Sequence, residues 1–263
     1  MRLLRSIWLR GIVLGFFAGF YLGAVLISWL ILPLVSLGLR DEKARIRRSQ
    51  QVILTSMRFF HFCMRHLRIL TGDPALTPIQ LPREPCVIIA NHPTLIDVTA
   101  ILAAMDGMTC VVKPSLFRSF AIGPVLRQAW FIPAGADVIR EAQTRLEGGL
   151  HVLIFPEGTR SPITGMEPFR RGAFEIACRA GVPVVPLLLR ADPPFLNKEL
   201  PWHAERSGAS HLTVTQLPTL DPAQWRGDSR AMRGAAEAMY RRALAAPPEA
   251  PVALDPLPEA LSA

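Results

Sequence analysis

The residues in this chain best suited to chemistry begin with Asn91-His92-Pro93-Thr94-Leu95-Ile96-Asp97. They follow Cys86–Ala90, a short β-branched apolar run that reads as a buried strand. Asn91 offers a turn or cap, and Pro93 suits the first turn of a helix. His92 therefore falls where a strand ends, the edge at which α/β sheets bind ligands. Asp97 lies five residues on, about 140° away around one continuous helix, so the two side chains would not share a face. They meet only if His92 precedes the helix and Asp97 lies in its first turn or two. Asp97 then accepts from Nδ1 of His92, leaving Nε2 to take a proton from an incoming hydroxyl. A histidine capping a helix, with an N-terminal acid facing the dipole, fits the same residues. The pair alone does not choose between the two.

A second station is His151-Val-Leu-Ile-Phe-Pro-Glu-Gly-Thr-Arg-Ser-Pro162. Again an apolar strand ends in a polar loop, expected to expose Glu157, Thr159, Arg160 and Ser161. Arg160, beside Gly158 and backbone amides, could clamp a phosphate through its planar fork. Glu157 could hold a hydroxyl of the same ligand. An ordinary turn with a surface ion pair is the simpler alternative. Arg170 and Arg171 open a later helix and add donors at its N-terminus, and Lys113 ends the run Met108–Val112. Each of these cations also fits a solvated surface. No Cys, and no Ser in a G-x-S-x-G setting, presents a nucleophile. His92 and Asp97 lack further partners at metal-ligand spacing, so no metal site is expected.

The elements that must position these groups follow from the apolar pattern. Candidate strands are Cys86–Ala90, Met108–Val112, His151–Phe155, Val182–Leu188 and His211–Gln216, alternating with helices over about 97–105, 116–129, 137–148, 170–180 and 228–245. That alternation predicts an α/β fold, a sheet with crossover helices. The turn-rich residues 71–85 mark its start, so a domain is expected over 71–245. Residues 246–263, rich in Pro and Ala without amphipathic period, are predicted to be a disordered tail. The cysteines Cys63, Cys86, Cys110 and Cys178 are far apart, as expected of structural thiols.

Residues 1–70 read as membrane-associated helices. Gly11 to Leu39 runs 29 positions without a charge, longer than the ~20 residues a membrane span needs. Pro33 and several glycines could bend it. A cleaved signal peptide fits poorly, because the apolar part is too long and no small-x-small site follows. Residues 1–70 carry eleven Lys/Arg against two Asp/Glu, whereas the remainder is slightly acidic. The positive excess therefore flanks the apolar segment, which favours an anionic lipid surface over nucleic acid. Basic residues at both ends blur orientation and also suit a re-entrant segment. Over 44–70, Ile46, Ile53, Met57, Phe60, Met64 and Leu67 form one helical stripe, read as lying in the headgroup layer. A helix packed on the folded domain is the alternative.

The two strand-end stations together resemble the glycerolipid acyltransferases, the 1-acylglycerol-3-phosphate acyltransferase (PlsC-like) family. Asn91-His92 through Asp97 is similar to its N-H-x4-D block, and Phe155–Ser161 to its F-P-E-G-T-R-S block, about 60 residues later. Lys113-Pro-Ser-Leu116 with Gly123 resembles the block between them, and Gly181–Leu187 the late V-P-x-x-P block. The resemblance covers roughly residues 80–195. It implies a mixed sheet flanked by helices, preceded by a membrane-embedded helical segment. It also implies His92 as general base, Asp97 as its orienter, and an acceptor held by Glu157, Thr159 and Arg160 in the loop with Gly158. Lys113 and Arg171 are further candidate contacts by position alone, and Arg140 is a candidate substitute for an arginine the family pattern has and this chain lacks. No cofactor is implied: the acyl donor is a substrate, acyl-CoA or acyl-carrier protein. The expected setting is a bacterial-type inner membrane with the catalytic domain facing the cytoplasm. Where the family usually places an arginine after the middle block, this chain has Trp130–Ala136 and no arginine before Arg140. That departure keeps open an acceptor other than lysophosphatidate, such as an aminolipid, polyene or envelope lipid. A catalytically silent lipid-binding protein is the remaining alternative.

Overall fold

The computed structural model describes residues 2–72, 79–200 and 209–246. A seven-stranded mixed sheet runs through the molecule in the order β1-β7-β6-β2-β5-β3-β4. Its strands are β1 (Leu70–Thr71), β2 (Val87–Ala90), β3 (Met108–Val112), β4 (Ile132–Pro133), β5 (His151–Ile154), β6 (Val184–Asp192) and β7 (Ser210–Gln216). All neighbours are parallel except β6 and β7. The five expected strands are present, Met108–Val112 with its expected bounds and the other four with shifted ends. β1 and β4 are not legible in the sequence, because two residues are too few to show a period.

The central strands are apolar on both faces because both faces are covered. Every residue of β2 is buried. On one side Ile88, Cys110, Leu153 and Val185 pack against helices α3 (Glu42–His66), α4 (Asp97–Ala104) and α6 (Gly123–Gln128). On the other, Val87, Ile89, Val152 and Ile154 meet α7 (Val138–Glu147), α8 (Gly172–Ala180) and α9 (Ser229–Ala245). Each fully buried Ile or Val contributes about 1.5–3 kcal/mol over exposure, so β2 and β5 form the rigid centre. The helix expected over 116–129 is instead two, α5 (Pro114–Phe117) and α6. Pro124 supplies no N–H for a continuing helix but suits the first turn of a new one.

At the N-terminus, α1 (Arg2–Leu26) passes through a π-helical stretch (Ile27–Ile31) into α2 (Leu32–Ser36). Leu26 and Leu32, on either side of that stretch, keep right-handed helical dihedrals. The chain thus stays helical past Gly11, Gly15, Gly19 and Gly23. The widened turn directly precedes Pro33, whose ring crowds the preceding turn and whose nitrogen donates no bond. Leu14–Ser36 is long and apolar enough to cross a membrane, and little of it is buried in the protein. The stripe on α3, read as a headgroup-facing surface, is corrected by the structure. Ile46, Ile53, Phe60 and Met64 are buried in the protein, whereas Phe59 and Phe62 are the exposed aromatics of this helix. The amphipathic period is real, but the partners are α4, the sheet and, at Phe60, the Phe16 and Phe20 rings of α1. The tail after Ala246 lies outside the described residues.

Candidate active site

The register of two parallel strands creates the site. β2 pairs with β5 so that Ile89 lies opposite Ile154. Each chain then leaves the sheet at the same edge, and three residues on stand His92 and Glu157. The turn after Ala90 is pinned by Asn91, whose buried amide donates to the Leu189 carbonyl at 2.9 Å and accepts from the Leu189 N–H at 2.7 Å. Asn91 thereby ties the turn to β6.

α4 begins at Asp97, so His92 precedes the helix. Nδ1 of His92 lies 2.8 Å from Oδ2 of Asp97, with the histidine side chain 17 % exposed and the aspartate 0 %. Asp97 is itself held: Oδ2 accepts from the Thr94 N–H at 2.7 Å, and Oδ1 from the Thr94 hydroxyl at 2.5 Å. A buried carboxylate is tolerable only with such partners. The Phe155 ring, its centroid 4.4 Å from that of the imidazole, packs against it. Among the described residues no hydrogen bond engages Nε2.

Glu157 departs from the exposed position expected of it; it is 3 % exposed, and Ser161 is 1 % exposed. Its Oε1 accepts from the His92 backbone N–H at 3.1 Å and from the Ser161 hydroxyl at 2.6 Å. Oε2 accepts from the Glu167 N–H at 2.7 Å. The Ser161 N–H donates to the His92 carbonyl at 2.8 Å, closing the link in the other direction. Burial pushes the Glu157 carboxyl above its ordinary value, with these donors working against the shift. Linear sequence could not show this, because the His92 donor sits 65 positions away in a loop that only the sheet brings alongside.

The remaining predicted residues line the same carboxyl edge at different stations. Gly158 and Thr159 are exposed at the loop tip. Gly158 is left-handed (φ +69°), and a Cβ there would come within 2.7 Å of the Arg170 guanidinium. Arg170, not Arg171, therefore lies over this loop, a contact the sequence does not reveal. Arg171 turns to Glu175 at 3.5 Å. Arg160 donates to the Leu196 carbonyl at 2.8 Å. Lys113 is exposed after β3, the strand next to β5. Arg140 is exposed on α7 and pairs with Asp137 at 3.3 Å. Among the described residues no cluster of His, Cys, Asp and Glu is arranged to hold a metal ion.

A family model described as Acyltransferase matches residues 76–190, which contain both loops. That segment is similar to acyltransferases. The chain is 32 % identical over 112 residues to the chloroplastic 1-acyl-sn-glycerol-3-phosphate acyltransferase BAT2 of Brassica napus, covering 40 % of this chain and 33 % of that one. With human 1-acyl-sn-glycerol-3-phosphate acyltransferase alpha it shares 31 % over 127 residues, 45 % of either chain. The match thus spans less than half the length of these curated relatives. The fold is that of the 1-acyl-sn-glycerophosphate acyltransferase PlsC of Thermotoga maritima, with a TM-score of 0.69 at 21 % identity over 93 % of this chain and 96 % of the other. The mixed sheet and flanking helices agree with the expected architecture.

Proposed function

We propose that the protein is a membrane-associated O-acyltransferase that moves a fatty acyl group from acyl-CoA or acyl-carrier protein to a hydroxyl of a lysophosphatidate-like lipid. The observation that carries this reading is the 2.8 Å contact between His92 Nδ1 and Asp97, which turns Nε2 away from its orienter. The acceptor hydroxyl gives its proton to Nε2 as its oxygen attacks the thioester carbonyl. A C–O bond forms, the C–S bond breaks, and the departing thiolate takes the proton back from His92. The buried Asp97 stabilises the imidazolium between these steps. Arg160 is the phosphate contact on the acceptor, supported by its place in the loop that leaves β5, directly after the exposed Gly158 and Thr159. The relatives named for 1-acyl-sn-glycerol-3-phosphate support that acceptor class. The basic flanks of residues 1–70 suit an anionic cytoplasmic leaflet of a bacterial-type membrane.

The test is purified full-length protein with labelled acyl-CoA or acyl-carrier protein and a panel of lysolipids, products resolved by mass. Esterification of lysophosphatidate is expected. His92→Ala should lower its rate by about 10²–10⁴. Thioester-dependent acylation that survives His92→Ala removes this mechanism. Acylation confined to lipids without a phosphate monoester removes the acceptor assignment.

A further inference from the structure

A third segment joins the two site loops, and no block of the family resemblance includes it. After β6 the chain makes a turn over residues 193–199 that reaches back across the sheet edge. The Leu196 carbonyl accepts from the Leu95 N–H at 3.1 Å and from Arg160 at 2.8 Å. Phe195 and Leu196 are buried in one cluster with Phe60 and Met64 of α3 and with Ile96 beside the His92 loop. Asn197 is 4 % exposed. Its Nδ2 donates to the Pro93 carbonyl at 3.2 Å and to the Ser161 carbonyl at 3.1 Å, one proton to each loop. Its Oδ1 accepts from the Glu199 N–H at 2.8 Å, which fixes the amide's orientation. Lys198 continues the attachment, pairing with Glu167 at 2.6 Å. Glu167 in turn donates its N–H to Glu157.

We propose that the turn over 193–199 is a buckle locking the His92 loop onto the Glu157–Ser161 loop, with Asn197 as a positioning residue whose amide spans both. The consequence for rate rests on the acyl-transfer reading above; the consequence for loop order does not. The carboxamide is needed because both targets are carbonyl oxygens: two N–H donors on one nitrogen serve one acceptor on each loop. Leu196 adopts φ +50°, uncommon outside glycine, and this conformation accompanies a carbonyl shared between Leu95 and Arg160. His92, as base, and Arg160, as acceptor contact, are therefore set by a single turn.

Hydrogen exchange read by mass spectrometry, together with steady-state kinetics, tests this on full-length protein in detergent micelles. Asn197→Ala removes the bridge. Asn197→Asp keeps the shape and the bond from Glu199 but turns an oxygen toward two carbonyls, and it carries the test if the alanine variant does not fold. In Asn197→Asp, peptides over 91–97 and 157–163 should exchange about tenfold faster while β2 and β5 stay protected. kcat should fall about tenfold or more, with the KM for acyl donor within about twofold, as expected when alignment rather than binding is lost. Wild-type exchange and kcat in Asn197→Asp would show that the residue only fills volume and would overturn the proposal. Faster exchange with unchanged kcat would overturn its positioning role. If the wild-type protein transfers no acyl group, the proposed function fails, and the exchange result alone still decides whether Asn197 joins the loops.

Discussion

Glu157 is where chemistry and architecture meet most closely at the residue scale. Its three donors come from three different places in the chain, and a glutamine cannot accept from all of them. Whichever way the amide turns, its NH2 faces another donor, at a cost of about 1–3 kcal/mol for a buried unmade bond. Glu157→Gln should therefore lower Tm by several degrees and lower kcat through the His92 loop. Because burial raises the folded-state value of this carboxyl, its contribution to stability is full below the ordinary carboxylate value and declines as pH rises through the raised one. Glutamine does not titrate, so the Tm gap between wild type and variant should narrow from acid to neutral pH; a gap that widens contradicts the assignment. Arg160 and Arg140 differ in setting, one part-buried against Leu196 and one exposed beside Asp137. A lost charge-assisted contact costs about 1.5–3 kcal/mol, so Arg160→Ala should raise the KM for a phosphate-bearing acceptor about tenfold or more. Arg140→Ala should raise it less. Unchanged acceptor KM in Arg160→Ala removes the phosphate clamp.

At the scale of elements, the π-helical stretch couples the apolar N-terminal helix to the sheet edge. It presents Ser28 to the Ala121 carbonyl at 2.6 Å and the Trp29 indole N–H to the Phe120 carbonyl at 3.0 Å. The Trp29 and Phe120 rings stack at 5.0 Å. Both contacts fall in the connection between α5 and α6, a few residues after Lys113. Trp29→Ala should leave the sheet intact and make residues 116–124 exchange faster, as hydrogen exchange would record. Unchanged protection there would mean that α6 alone holds the connection. The period of α3 marks a buried face but does not name its partner, because a stripe facing a sheet and a stripe facing lipid have the same spacing.

For the molecule as a whole, the distribution of charge and apolar surface sets how it sits. Leu14–Ser36 is mostly unburied by the protein, and the Lys/Arg excess lies in residues 1–70. Two attachments of different physics should therefore act together. Charge attraction to anionic lipid is screened by salt, with a Debye length near 3 Å at about 1 M, whereas apolar burial is not. In vesicle flotation, the full-length protein should stay bound at high salt to both neutral and anionic membranes. Release by salt alone would show that the apolar segment is not inserted.

The sequence by itself determined the alternation of strands and helices, the strand-end position of His92 and the loop from Phe155 to Ser161, because those features depend on local period and turn chemistry. It also determined that Asp97 must open a helix if it is to meet His92, since helical geometry forbids the alternative. Only the tertiary structure decided that Glu157 is buried, that Arg170 rather than Arg171 covers Gly158, and that Asn197 bridges the two loops. The two Asn197 bonds alone join residues 36 and 104 positions apart. Such partners are chosen by strand register and packing, which leave no periodic trace in the chain.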